Sequence, residues 1–186
     1  LYQISVFGGS PRLLFAQGWL PAVSPDGSRI VFITGSYMNE QLWMMRSDGS
    51  QPQKLIGQPN DFFGSVTWSP DGSRIAYTAA HFVVGVGTKS SIEILDPSKP
   101  ERQPILSPPR IGQWVAWTAD NRLVYSVEEP SPNQSDSNLW AVNLNSRGQP
   151  STAPVQLTTE AGTLGPITLA AGGKRLAFVK KHFQPD

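Results

Sequence analysis

The chain has 186 residues, a formal net charge of +1, 39% hydrophobic and 16% charged residues, and no cysteine. The near-neutral balance excludes electrostatic attraction to nucleic acid or to an acidic membrane surface, and the missing cysteine excludes disulfides, thiolate metal sites and a Cys nucleophile. With 17 glycines and 17 prolines, long helices have little room, whereas many short strands joined by tight turns fit well.

In chain order, the first element is a pair of short strands, Leu1 to Val6 and Arg12 to Leu14, joined by a Gly8-Gly9-Ser10 turn. An apolar strand then leads into Ser24-Pro25-Asp26-Gly27, and a second strand leaves from Arg29. In such a turn Pro presets φ, Asp bonds its own backbone ahead and Gly takes positive φ. Gln41 to Arg46 reads as a third strand, Ser47 to Ser50 as a polar turn and Gln53 to Leu55 as a short fourth strand. The string SPDGSRI recurs unchanged 45 residues later, from Ser69. Behind it come strands at Ser91 to Leu95 and Gln103 to Ile105. A third copy, VAWTADNRLVYSV, starts at Val115 and is followed by strands at Asn138 to Asn143 and Val155 to Leu157. A decayed fourth, ITLAAGGKRLAFV, starts at Ile167.

A unit of four antiparallel strands in about 45 residues is one propeller blade, and stacking lets each blade bury both faces of its sheet. The fold class expected is therefore all-β: a β-propeller of four-stranded antiparallel blades, with about four blades' worth of strands, sixteen in all. The expected parts are a half blade at 1–14, blades at 19–57, 62–106 and 112–158, and a half blade at 162–181. Trp43, Trp68, Trp117, Trp140, Phe32, Tyr77, Tyr125 and Phe178 recur at matched positions and are expected to pack between sheets. The two halves either belong to different blades of a larger ring or join as one blade of a closed four-bladed ring. The first is favoured, and the start at Leu1 and the end at Asp186 suit a piece of a longer polypeptide.

Reactive constellations are scarce. The closest approach to the G-x-S-x-G elbow of a serine hydrolase is Gly8 to Arg12, where Arg fills the last Gly position. His81 and His182 are the only histidines and form no zinc pattern, and Asp26 and Asp71 are explained as turn formers rather than metal ligands. Gly85 to Ser90 has the composition of a phosphate loop but not its spacing, so it reads as a Gly-rich loop. Asn133-Gln134-Ser135 matches a glycosylation sequon, a short pattern common by chance. No catalytic, cofactor-binding or metal site is expected, and no cofactor. No apolar run reaches the roughly 18 residues of a membrane span, so no membrane insertion is expected. What varies is the connection between second and third strands: short around Gly35 to Glu40, long from His81 to Ser90, and long and polar from Glu128 to Ser137. Propeller topology puts these connections on one face, where insertions often mark a binding surface. Tyr37, His81, Phe82 and Lys89 are the candidate partner-binding loop residues.

The SPDGSRI string, followed by an apolar-aromatic strand and a DG turn, resembles the TolB-type (WD40-like) β-propeller repeat over essentially the whole chain. The fourth copy departs most, with Ala170-Ala171-Gly172-Gly173 in place of SPDG. The run SNLWAVNLNSRGQPSTAPVQLT is also similar to propeller regions of bacterial multidomain signalling proteins, in which blades follow a Ser/Thr kinase or winged-helix domain. The resemblance implies rings of about six to eight blades and a non-catalytic scaffold for protein–protein interaction or sensing, in a periplasmic or extracytoplasmic setting. The alternatives are the substrate-gating propeller of a prolyl-oligopeptidase-like serine peptidase and a ligand or lyase propeller with its site in the central channel.

Overall fold

In the computed structural model, residues 1–133, 135–170 and 173–182 are described. Sixteen strands run through them, every sheet antiparallel and in chain order. Strands β1 (Tyr2–Gln3) and β2 (Arg12–Leu13) form a two-stranded sheet. The first full sheet is β3 (Gly18–Val23), β4 (Arg29–Ser36), β5 (Asn39–Arg46) and β6 (Gln53–Ile56). The second is β7 (Asp61–Trp68), β8 (Ile75–Val83), β9 (Gly87–Asp96) and β10 (Lys99–Leu106). The third is β11 (Ile111–Trp117), β12 (Arg122–Glu128), β13 (Ser137–Asn143) and β14 (Val155–Gln156). Strands β15 (Thr163–Leu169) and β16 (Leu176–Lys181) close the row as a second two-stranded sheet. The two short sheets are not bonded to each other, so the ring is open and the reading that joins them into one blade does not hold. The Ala171-Gly172 part of the decayed fourth turn and Gln134 of the sequon lie outside the described residues.

Strand alternation makes each sheet apolar on both faces. Along β4, Val31 and Ile33 join Leu42 and Met44 in a cluster with Phe63, Trp68, Tyr77 and Leu95 of the next sheet, while Ile30 and Phe32 turn the other way onto Leu1, Leu14 and Phe15. The same switch recurs along β8, where Ile75 and Tyr77 face back and Ala76 faces forward, and along β12, where Leu123 and Tyr125 face back and Val124 forward. Each fully buried side chain of this kind contributes about 1.5–3 kcal/mol. Trp43 and Trp140 are only partly buried. Phe178 departs from the expectation of a packed ring: it is 40% exposed, because no further sheet covers that part of β16 among the described residues.

The innermost strands β3, β7, β11 and β15 share a device. Each is entered through a residue with left-handed φ (Gln17, Asn60, Arg110, Gly162), and each carries a register shift part-way along. At the shifts neighbouring inner strands touch: Ser65 Oγ accepts from the Val115 amide at 2.6 Å and the Trp114 indole donates to Leu164 O at 3.2 Å, while from β8 Thr78 Oγ1 donates to Gln113 O at 3.0 Å. Gly64 sits in this contact. A Cβ there would collide with Thr78 Oγ1 and lie 2.5 Å from the Gln113 carbonyl oxygen.

The repeated turn is a closed polar circuit. Ser24 Oγ donates to Asp26 at 2.5 Å and accepts from the Arg29 amide at 2.9 Å, while the Ser28 amide and hydroxyl both donate to Asp26. Ser69, Asp71, Ser73 and Arg74 repeat the circuit residue for residue, and Thr118 with Asp120 keeps its core. Arg29 then reaches across the seam: its guanidinium lies 4.8 Å from the Trp68 ring centroid and donates to Gly72 O at 3.0 Å, while Trp68 donates to Ala22 O at 3.0 Å.

Gly64→Ala is expected to destabilise the chain by about 1–3 kcal/mol, since backbone of the next sheet must move; urea unfolding followed by tryptophan fluorescence reads this directly. A second expectation concerns acid. Hydrogen bonds from the Ser24 hydroxyl, then from the Ser28 hydroxyl and amide, hold the Asp26 carboxyl at about 2 against an ordinary 3.8. The folded value is the lower one, so its stabilisation is complete above 3.8 and fades as pH falls towards 2. Asp26→Asn should therefore be less stable than the parent at neutral pH, with the gap closing on acidification; a gap constant across that range would contradict the circuit.

Candidate interaction face and its buried polar network

Antiparallel connectivity sends alternate connections to opposite ends of every sheet. On one side lie the SPDG turns and the outer-strand turns, tied by Ser47 N to Ser28 O and Leu144 N to Asn121 O, both at 2.9 Å. The β4–β5, β8–β9 and β12–β13 connections lie on the other side with the chain's passages between sheets. There Asn60 N bonds Met38 O at 2.7 Å, Phe82 N bonds Asn60 O at 3.1 Å and Glu128 N bonds Arg110 O at 2.9 Å.

On this side the four sequence candidates separate. Tyr37 is at the tip of the β4–β5 hairpin, 81% exposed, with its ring edge-on to Phe62 at 5.3 Å. His81, Phe82 and Lys89 are not on a loop. The segment read as a long loop is instead a β-ribbon, in which His81 pairs with Lys89, Phe82 with Thr88 and Val83 with Gly87. Gly85 and Gly87, both at positive φ, make a turn tight enough for pairing to continue almost to the tip. The tip presents Val84 and Val86, which are 85% and 67% exposed. Lys89 is exposed, whereas His81 and Phe82 are half-buried.

His81 leads to a cluster that the sequence reading missed. Its Nδ1 lies 2.9 Å from Asp61 Oδ1 across the β7–β8 pair. Asp61 is fully buried, and both its oxygens accept from Arg102 Nη1 at 2.9 and 3.0 Å. Arg102 also forks onto Glu93, with Nε to Oε2 at 2.8 Å and Nη2 to Oε1 at 3.0 Å. Tyr77 and Ser91 hydroxyls complete the Glu93 shell, each at 2.8 Å. Burial pushes the Glu93 carboxyl up, but hydrogen bonds from Arg102, Ser91 and Tyr77 outweigh it and the net shift is down. Tyr77 is driven up by burial and by the Glu93 charge. Register held the missing signal: Trp43 pairs with Phe32 and Trp140 with Tyr125, and Glu93 takes the same place opposite Tyr77. An acid where two other copies carry Trp, on a strand expected to be buried, calls for a cation.

The network closes on itself. Each charged oxygen faces Arg102 or a hydroxyl, and Ser91 donates to Glu93 rather than to His81; among the described residues no hydroxyl is set against the imidazole. Arg102→Met should cost about 3–5 kcal/mol at neutral pH by leaving two carboxylates buried without their cation. Because the folded Glu93 value is lowered, its stabilisation is complete above about 4.5 and is lost as pH falls through the folded value, so the penalty should shrink in acid. Parallel denaturant titrations at neutral and acidic pH check both the size and the sign.

No known family profile matches the chain. In sequence it is 36% identical over 52 residues to the Tol-Pal system protein TolB of Albidiferax ferrireducens, a match covering 28% of this chain and 12% of that protein. In structure it is similar to TolB from Acinetobacter baumannii, with a TM-score of 0.66 at 15% identity over 97% of this chain and 43% of that one. It is also similar to the β-propeller domain of the Trilobed protease from Pyrococcus furiosus, with a TM-score of 0.57 at 16% identity over 87% of this chain and 49% of that one. The chain thus spans less than half the length of these proteins. Sheet order, the repeated turn and these likenesses agree on the fold: the chain is an open array of four-stranded β-propeller blades, similar to those of TolB.

Proposed function

We propose that the array is a non-catalytic scaffold that docks a protein partner on the side built by the β4–β5 and β8–β9 hairpins. The observation that carries this reading is the apolar character of the hairpin ends. Tyr37, Val84 and Val86 stand 81%, 85% and 67% exposed on the same side of adjacent sheets. An aromatic with a polar tip and two β-branched residues on rigid ribbons offer contact area at low entropic cost. At the base of the β8–β9 ribbon the Asp61–Arg102–Glu93 network ties β7, β9 and β10 together.

A second reading, the substrate gate of a peptidase, takes support from the likeness to a protease propeller domain. In that reading the same face would meet a hydrolase domain instead of a separate partner.

Photo-crosslinking separates the faces. A benzoylphenylalanine at Tyr37 or Val84 should give a defined protein adduct in cells that express the parent protein, and the same probe at Asp48, on the opposite side, should not. The Tyr37→Ala, Val84→Ser, Val86→Ser combination should then weaken capture of the adduct partner by about tenfold or more. Adducts formed only from the Asp48 side, or capture unchanged by the triple variant, would overturn the assignment.

A further inference from the structure

Beside the β8–β9 ribbon lies a concavity of about 430 Å³, lined by His81, Lys89, Arg102, Pro104, Pro108 and Arg110, among others. Two of its cations are uncommitted. Lys89 is exposed and has no carboxylate or hydrogen-bond partner among the described residues. Arg110 uses only Nε, which donates to Glu128 O at 3.1 Å, and leaves its Nη groups free of partners among the described residues. Arg110 is also held in place from both ends. Its backbone is in the left-handed region at φ 65°, its carbonyl accepts from the Glu128 amide at 2.9 Å, and its side chain returns to the same residue. A non-glycine residue kept in that conformation, with its guanidinium anchored by one nitrogen, is pre-organised to use the others.

The acids nearby do not cancel this rim. Asp61 and Glu93 direct their oxygens at Arg102 and at neighbouring hydroxyls, behind the rim. Together Asp61, Glu93 and Arg102 carry one net negative charge, against two positive charges on Lys89 and Arg110, which come from separate elements. Pro104, Pro108 and Pro109 add an apolar wall that carries no backbone N–H donors of its own. Forked guanidinium nitrogens and an ammonium beside such a wall suit carboxylates carried on a chain with apolar neighbours.

We propose that this concavity binds an acidic segment of the partner through side-chain carboxylates held by Lys89 and Arg110. The proposal rests on the reading of the hairpin side as a docking face and names the chemistry of what docks there. The probe is a short end-capped peptide of glutamates and prolines, titrated into the ¹⁵N-labelled chain. Amide shifts are expected at Lys89, Ser107 and Arg110. Affinity should fall by about tenfold or more in Lys89→Glu and in Arg110→Glu, and binding should weaken with added salt. Lys89→Gln, on an exposed position of a paired strand, should keep the parent's thermal unfolding while losing affinity, which guards against a misfolded Arg110 variant. A glutamine–proline peptide that binds equally, shifts confined to other surfaces, or charge-reversed variants with parental affinity would each overturn the proposal. So would binding only by an uncapped glycine–proline peptide, which would assign the site to a terminal carboxylate. The two readings fail separately. Crosslinking from Tyr37 with no peptide binding removes the acidic-segment site and keeps the face. Peptide binding lost in Lys89→Gln, with adducts only from Asp48, keeps the site and removes the hairpin tips.

Discussion

A four-stranded sheet about as wide as it is long cannot cover its own faces, and everything in this chain follows from that constraint. Strand alternation puts Ile30 and Phe32 on one side of β4 and Val31 and Ile33 on the other, all buried. Same-sheet neighbours such as Leu42 and Met45 lie beside these residues and leave the outer surface of each face uncovered. Only a neighbouring sheet on each side removes both from water, so the unit is forced into a row, and the row's stability is a sum over seams rather than over sheets.

The seams need registration as well as grease. Apolar packing is non-directional, and the polar contacts across the seam supply direction. The serine–aspartate circuit fixes the first two turns, and from the first of them Arg29 reaches the Gly72 carbonyl of the next sheet while Trp68 reaches back to Ala22. The inner strands add their own pins at Ser65–Val115 and Trp114–Leu164. These bonds are individually modest, each about 1 kcal/mol. They connect fixed backbone positions, so they set which residue of one sheet meets which residue of the next.

In the seam between the first two full sheets, part of the apolar contact is replaced by an ion cluster. Glu93 takes the register position that Trp43 and Trp140 hold in the other copies, and Arg102 pairs it with Asp61. Burying three charges is costly unless each is met, and here each is. The geometry ties β7, β8, β9 and β10 together at the end where the ribbon leaves the sheet. That places a closed set of charged hydrogen bonds at the base of the β8–β9 hairpin, next to the cationic concavity at Lys89 and Arg110.

The repeat was legible because local chemistry demands it: Ser-Pro-Asp-Gly has one good use, and apolar alternation between such turns has one good packing. Sheet order, strand number and the turn role of Asp26 and Asp71 follow from that grammar, since they depend on residues within a few positions of one another. The His81 to Ser90 segment was misread because composition marks Gly and Ser as loop formers, while pairing is decided by two strands already held in register below. The Asp61–Arg102 contact joins residues 41 apart, and no local pattern announces it; only the outline of Glu93 in a tryptophan's place hinted that something had changed. Sequence alone determined what each blade is. Which charges meet, which hairpin projects and which cations stay unpaired were decided by tertiary structure, because these depend on distances between strands that the chain's own order does not contain.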